Sequence, residues 1–195
     1  MRNVPLGEEL RLLLLDTGVK HSLVESAYND RRAACEQAAA FFARRLDRPV
    51  RALRDVGEED WERLSGEMDA TAARRARHVL SENRRVREGR SLLENGRVKE
   101  FGALMFESHR SSRDDFENSC PELDHLVERA KGLRGVLGAR LSGGGFGGSV
   151  VVLLTPDVVE SVRSELEESF RRAFGRPLRA TLVRPAAGAA LVGPV

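Results

Sequence analysis

Apolar positions along the chain follow a helical rhythm for most of its length and a strand-like one near its end. The first run, Leu10 to Leu15, reads LRLLLL. It suits a strand covered on both faces, although a buried helix turn fits the same run. Asp16-Thr17-Gly18 breaks it. A helix is predicted to start between Ser26 and Asn29, with Ala34, Ala38, Phe41 and Leu46 as its apolar stripe, and to end at Arg48-Pro49. Glu58 to Leu64 predicts a short helix with an acidic first turn. From about Asp69 to Leu93 a long helix places Ala72, Ala76, Val79, Val86 and Leu93 on one face, with Asn83 as a buried amide or a site residue. Asn95-Gly96 stops it, and a further helix carries Val98, Phe101, Leu104, Met105 and Ser108. Another begins at Pro121 and runs toward Lys131.

The last third alternates faster. Val136 to Leu141 and Val150 to Leu154 predict strands on either side of a glycine loop, and Leu178 to Val183 predicts a third. Between them, Thr155-Pro156-Asp157 predicts a helix start with a hydroxyl cap, and Val159, Val162, Leu166, Phe170 and Ala173 mark its buried face up to Gly175. The expectation is an α+β domain, with helices packed on one face of a small antiparallel sheet.

Composition narrows the class. The 195 residues are 41% hydrophobic and 32% charged, as in a globular protein, with a formal net charge of +2. So even a balance argues against a nucleic-acid or anionic-membrane partner. Of the 32 basic residues only Lys20, Lys99 and Lys131 are lysines, a skew that suggests coding bias more than phosphate contacts. Cys35 and Cys120 stand far apart, and the four histidines never reach H-x-x-x-H spacing, so neither a disulfide scaffold nor a metal site is expected. With no signal-like N-terminus and no membrane-length apolar run, the expected location is the cytoplasm.

The sharpest chemical feature is Gly143, Gly144, Gly145, Phe146, Gly147 and Gly148. Such a run can turn backbone N–H groups toward an anion with no side chain in the way, and a branched side chain at Gly145 would block that approach. It spells G-x-G-x-x-G, but a β-rich segment follows where a dinucleotide fold opens a helix. It fits the frame of a Walker A loop, but Ser149 replaces the lysine. A protein-kinase glycine loop is excluded because V-A-I-K, H-R-D and D-F-G are absent. A ligand-free hairpin turn remains the competing reading. Elsewhere, His21-Ser22 reads as an ordinary loop pair. Asp114-Asp115 reads as a solvated face or a cap near a turn. Tyr28, the only tyrosine, stands among polar residues at a helix start, where its hydroxyl could serve either a ligand or packing.

Several ordered segments resemble galactokinases, of the GHMP kinase superfamily. GVKHSLVESAYNDRRAACEQAA is similar to the family's segment after its catalytic strand. RARHVLSENRRV, FGALMFESHRSSRDDFENSCPELDHLV and GVLGARLSGGGFGGSVVVLL follow in family order, the last resembling the superfamily's third motif. RATLVRPAAGAALV looks like the family's end. Ser149 stands where a cysteine is frequent, and Leu141-Ser142 replaces the commoner Met-Thr. The first motif (G-R-x-N-L-I-G-E-H-T-D-Y), the second (P-x-G-x-G-L-S-S-S-A) and the catalytic aspartate are absent. The chain thus resembles the C-terminal half of a galactokinase, beginning beyond that aspartate.

The resemblance implies a ferredoxin-like C-terminal domain over residues 26–195, preceded by a strand and connection over residues 1–25 from the junction with an N-terminal domain. It implies a protein whose relatives phosphorylate galactose at O1 using ATP with Mg2+. Gly143 to Gly148 would bring backbone donors to the phosphates, and Tyr28 matches a tyrosine that contacts the sugar. No catalytic residue falls in this chain, so it is expected to be inactive alone and to need a separate N-terminal half. The alternative is an inactive remnant that binds or regulates. With that half absent, the leucine strand is expected to lie uncovered and to drive self-association.

Overall fold

In a computed structural model, residues 7, 9–19 and 24–184 are described. His21-Ser22 and the AAGAALV end of the last family-like segment lie outside them. The chain runs through β1 (Arg11–Asp16), α1 (Val24–Arg45), α2 (Glu58–Leu64), α3 (Ala70–Glu94) and α4 (Val98–Ser111). A π-helical turn (Ser112–Phe116) leads to α5 (Pro121–Lys131), β2 (Val136–Ser142), β3 (Ser149–Leu154), α6 (Val159–Phe174) and β4 (Arg179–Val183). The strands pair antiparallel in the order β2-β3-β1-β4. That is the split βαββαβ, ferredoxin-like sheet, with the helices from α1 to α5 standing in the first crossover.

The leucine strand is the point where sequence expectation and structure part. β1 is an inner strand, bonded to β3 from Arg11↔Leu154 to Asp16↔Ser149 and to β4 from Leu12↔Val183 to Asp16↔Arg179. Its backbone is therefore satisfied on both sides, and among the described residues the edge strands are β2 and β4. The side-chain cover also comes from this chain. Leu13 and Leu15 are fully buried beneath α5 and α6, among Leu123, Leu126, Val150, Val152, Leu166 and Phe170. On the other face Leu10 and Leu153 are buried with Met105 of α4, and Leu12, Phe101, Leu137 and Val151 pack around them. β3, β4 and helices on both faces thus cover most of the strand expected to lie open, leaving Leu12 and Leu14 half-buried. Nor are the helices confined to one face: the period-2 alternation of β1 and β3 places apolar side chains on both.

A second core lies away from the sheet, where Ala38 and Phe42 of α1 meet Leu53, Val56, Leu64, Ala72 and Ala76. The stripe on α1 descends at intervals of four, so Phe42 is fully buried and Phe41 half-buried at its edge. On α3, Ala72 and Ala76 are buried as the pattern predicts, but Gly89 and Leu92 are buried further on and Val86 is 71% exposed. The early turns of α3 pack on α1 through Ala72 and Ala76, and the later ones on α4 through Gly89, so the covered side changes along the helix and Val86 falls outside it. Asp69 caps α3, accepting from the Thr71 and Ala72 amides at 2.9 and 3.0 Å. Thr155 makes no side-chain cap; one 3-10 turn, Pro156–Val158, precedes α6.

One contact sets how closely the helices approach the sheet. A Cβ at Gly102 of α4 would stand 2.0 Å from the Leu137 carbonyl oxygen, and one at Gly138 2.7 Å from the Gly102 Cα. Helix and strand backbones therefore touch. Gly102→Ala should separate them and lower stability by about 1–3 kcal/mol, as overpacking of a tight interior does. Gly66→Ala, whose Cβ would meet nothing within 4 Å, is the control. Urea denaturation of both variants measures the difference, and equal midpoints would show that α4 shifts freely.

Candidate functional site

The β2–β3 hairpin turns through the glycine run, and its backbone is unusual. Gly143, Gly145, Phe146, Gly147 and Gly148 all adopt positive φ, which glycine tolerates and a phenylalanine seldom does. The loop is held at its two ends by different elements. At the β3 end, the buried Thr17 donates its backbone N–H and its hydroxyl to the Gly148 carbonyl, at 2.9 and 2.8 Å. The Gly148 amide reaches Val19 O at 3.4 Å. Asp16 closes this corner by accepting from the Gly18 amide at 2.9 Å, an Asx turn that explains the break after β1.

At the other end the loop rests on the segment between the π-helical turn and α5. The Phe146 amide donates to the Asn118 carbonyl at 2.6 Å. The Asn118 side-chain amide donates to the Gly144 carbonyl at 3.0 Å. Segment 115–118 is itself clamped by two arginines. Arg75, 3% exposed, donates to the Asp115 carbonyl and to the Glu117 carboxylate, each at 2.5 Å. Arg31 donates to the carbonyls of Phe116 and Glu117 at 2.8 and 2.9 Å, and its guanidinium lies over the Phe146 ring at 5.6 Å. Glu117 is a non-glycine residue at φ 54°, and its bond to Arg75 holds its carboxyl below the ordinary value. These ties fix a turn that the backbone alone would resist.

The glycines now separate by role. A Cβ at Gly145 would stand 2.0 Å from the Asn118 carbonyl oxygen, and one at Gly147 2.7 Å from the Val19 carbonyl oxygen. Both positions need glycine because the protein's own backbone approaches. A branched side chain at Gly145 would therefore strike Asn118, whatever it did to an anion. Gly143, Gly144 and Gly148 have open space where a Cβ would be. The amides of Gly143, Gly144, Gly145 and Gly147 have no acceptor among the described residues. Gly147 is buried, Gly145 half-buried, and Gly143 and Gly144 exposed, so the unpaired donors at the exposed end of the loop are the ones an anion could reach.

Tyr28 is 55% exposed, and its hydroxyl makes no hydrogen bond among the described residues. It stands one turn before Arg31, hence on the same side of α1. Arg31 links that helix to the loop through Phe146. Asp114 and Asp115 are not an acid–base pair: Asp114 bonds Arg113 at 2.7 Å and Asp115 bonds Arg77 at 2.6 Å. A cleft of about 610 Å3 opens between α2, α3 and α4, with Trp61, Asn83 and Arg110 in its wall, and none of Gly143 to Gly148 lines it. Asn83 is therefore at a cleft wall and not in a packed core. Arg31, Arg75, Glu117 and Asn118 were not singled out by sequence reasoning. Their only signal was membership of the family-like segments.

Comparison with known proteins places the fold among its relatives. Residues 90–172 match the GHMP kinases C-terminal family. A galactokinase of Actinobacillus succinogenes is 41% identical over 175 residues, covering 88% of this chain and 44% of its own length. One from Thermotoga maritima is 43% identical over 173 residues, covering 88% and 47%. The structure of Lactococcus lactis galactokinase complexed with galactose superposes with a TM-score of 0.85 at 32% identity, covering 92% of this chain and 46% of that one. The fold of L. major mevalonate kinase also matches, at a TM-score of 0.56 and 21% identity, covering 96% of this chain and 46% of that one. The chain carries a GHMP kinase C-terminal domain. Within that class it is galactokinase-like, and it spans less than half the length of the relatives it matches. No helix among the described residues is long and apolar enough to cross a membrane.

His78 of α3 buttresses the same turn. Its Nδ1 lies 2.9 Å from Ser111 Oγ, and its ring stacks on Phe116 at 4.6 Å. Burial pushes its pKa down to about 4 from an ordinary 6.5. The unfolded chain then takes up this proton at higher pH than the folded chain, so stability is lost as pH falls from about 6.5 toward about 4. The shift corresponds to about 3 kcal/mol at most. His78→Phe keeps an aromatic ring beside Phe116 and removes the titration. Urea midpoints measured from pH 7 to pH 5 should fall less steeply in the variant. An unchanged slope would assign the decline to other groups.

Proposed function

We propose that this chain is the phosphate-binding C-terminal half of a galactokinase, acting with an N-terminal half to phosphorylate galactose at O1 from ATP. The observation that carries this reading is the glycine loop, in which the exposed Gly143 and Gly144 and the half-buried Gly145 have unpaired amides between two hydrogen-bonded ends. Phosphoryl transfer depends on positioning and charge stabilisation, so preorganised N–H donors are the contribution such a half can make. Residues 1–25 would form the junction, contributing β1 to the sheet of the domain over 26–195. Gly143, Gly144, Gly145, Phe146, Gly147 and Gly148 would line the phosphates, and Tyr28 would hydrogen-bond the sugar. Among the described residues no three His, Cys, Asp or Glu side chains gather to hold a metal. Mg2+ would arrive on the nucleotide phosphates.

The competing reading, a regulatory protein that binds without turnover, is separated by reconstitution. The chain alone should give no galactose-dependent ATP turnover, and adding a galactokinase N-terminal half should restore it. Turnover by the pure chain would overturn the half-enzyme reading; none with the added half would favour the regulatory one.

Within the reconstituted enzyme, Gly144→Ala is the informative loop variant. Gly144 has no positive φ and open space around a Cβ, so folding should be unaffected. Turnover should fall about ten- to a hundredfold if one hydrogen bond to a charged phosphate is lost, about 1.5–3 kcal/mol. Equal turnover would leave the loop a ligand-free turn. Tyr28→Phe should raise the galactose KM by about two- to twelvefold, for about 0.5–1.5 kcal/mol, and leave the ATP KM unchanged. A matched rise in both constants would place Tyr28 outside the sugar site.

A further inference from the structure

We propose that Asn118 is the positioning residue that decides which amide of the glycine loop faces outward, an inference that rests on the phosphate-loop reading above. Asn118 is 6% exposed, and its Oδ1 has no hydrogen-bond partner. Its donor is therefore the half of the amide in use, and that donor meets the Gly144 carbonyl at 3.0 Å. In a trans peptide the C=O and the following N–H point in opposite directions, and no peptide in the described chain is cis. Drawing the Gly144 carbonyl toward Asn118 therefore turns the Gly145 N–H away from it. The next peptide is fixed the opposite way, because the Phe146 N–H donates to the Asn118 backbone carbonyl at 2.6 Å. One residue thus sets two successive peptide planes, one amide pointing outward and the next inward.

Such fixing matters here because the 144–145 peptide lies between two glycines, with Gly145 at φ +83°. Glycine resists a peptide flip far less than other residues do. Without the Asn118 donor, nothing else among the described residues holds the Gly144 carbonyl. Asn118→Asp retains the shape of the side chain and loses the donor. Its carboxylate would repel the Gly144 carbonyl and accept from the Gly145 N–H, favouring the flipped peptide. A residue acting only through packing would show the opposite order, with Asp close to Asn and Ala worse.

The experiment follows backbone amide resonances of the whole 195-residue chain, as wild type, Asn118→Ala and Asn118→Asp, with inorganic pyrophosphate as the probe. In the free protein, Asn118→Asp should move the Gly145 amide resonance most and Asn118→Ala less. The amides of Leu13 and Leu15 should keep their exchange protection in both. Pyrophosphate should shift the Gly145 amide of the wild type, with affinity about two- to twelvefold weaker in Asn118→Ala and no Gly145 response in Asn118→Asp. A Gly145 resonance in Asn118→Asp that coincides with wild type would overturn the proposal. If pyrophosphate moves no loop amide of the wild type, the phosphate-loop reading fails, and the free-protein shifts still decide whether Asn118 sets the peptide. Loss of Leu13 and Leu15 protection in both variants would make Asn118 a general packing residue and overturn the positioning role.

Discussion

A guanidinium that is 3% exposed must have partners, and the partners of Arg75 organise the site. It bonds the Asp115 carbonyl and the Glu117 carboxylate, while its Nε has no partner. Removing either acceptor would leave a buried charge short of compensation, which is why such an ion pair fixes geometry more reliably than it adds stability. Here the fixed geometry is a π-helical turn followed by a left-handed Glu117. Arg31 repeats the arrangement from α1 and reaches on to Phe146. Asn118 is the next residue, and the loop rests on it. A line of contacts thus runs from the helical core through 115–118 to the glycine loop.

The sheet holds the other end of the loop. β1 is an inner strand, so its last residues are placed by β3 and β4 together, and Thr17 follows directly into two bonds with Gly148. Buried His109 serves β2: its Nδ1 accepts from the Leu141 amide at 3.3 Å and its Nε2 lies 3.1 Å from Asp124. An imidazole accepting at Nδ1 and bonding a carboxylate at Nε2 carries its proton on Nε2. The strands entering and leaving the loop are therefore both tied to their surroundings. A loop rich in glycine is intrinsically loose, and this one is ordered by what surrounds it.

The sequence by itself determined the order of elements, because apolar period, caps and glycine stops are local properties of the chain. Pro121 at the start of α5, Gly175 at φ 67° after α6, and the strands either side of the glycines all lie where the pattern predicts. Ordered segments also carried the kinship to galactokinases. Tertiary structure alone decided three things. It put the leucine strand inside the sheet, since strand order depends on pairing between residues more than a hundred positions apart, such as Arg11 and Leu154. It moved Val86 off the buried line of α3, because α1 and α4 together choose which side of a long helix is covered. And it divided the glycines into those the fold needs, Gly145 and Gly147, and those open to a ligand, Gly143, Gly144 and Gly148. That division depends on where Asn118 and Val19 fall in space, and no local pattern encodes a contact between distant backbones.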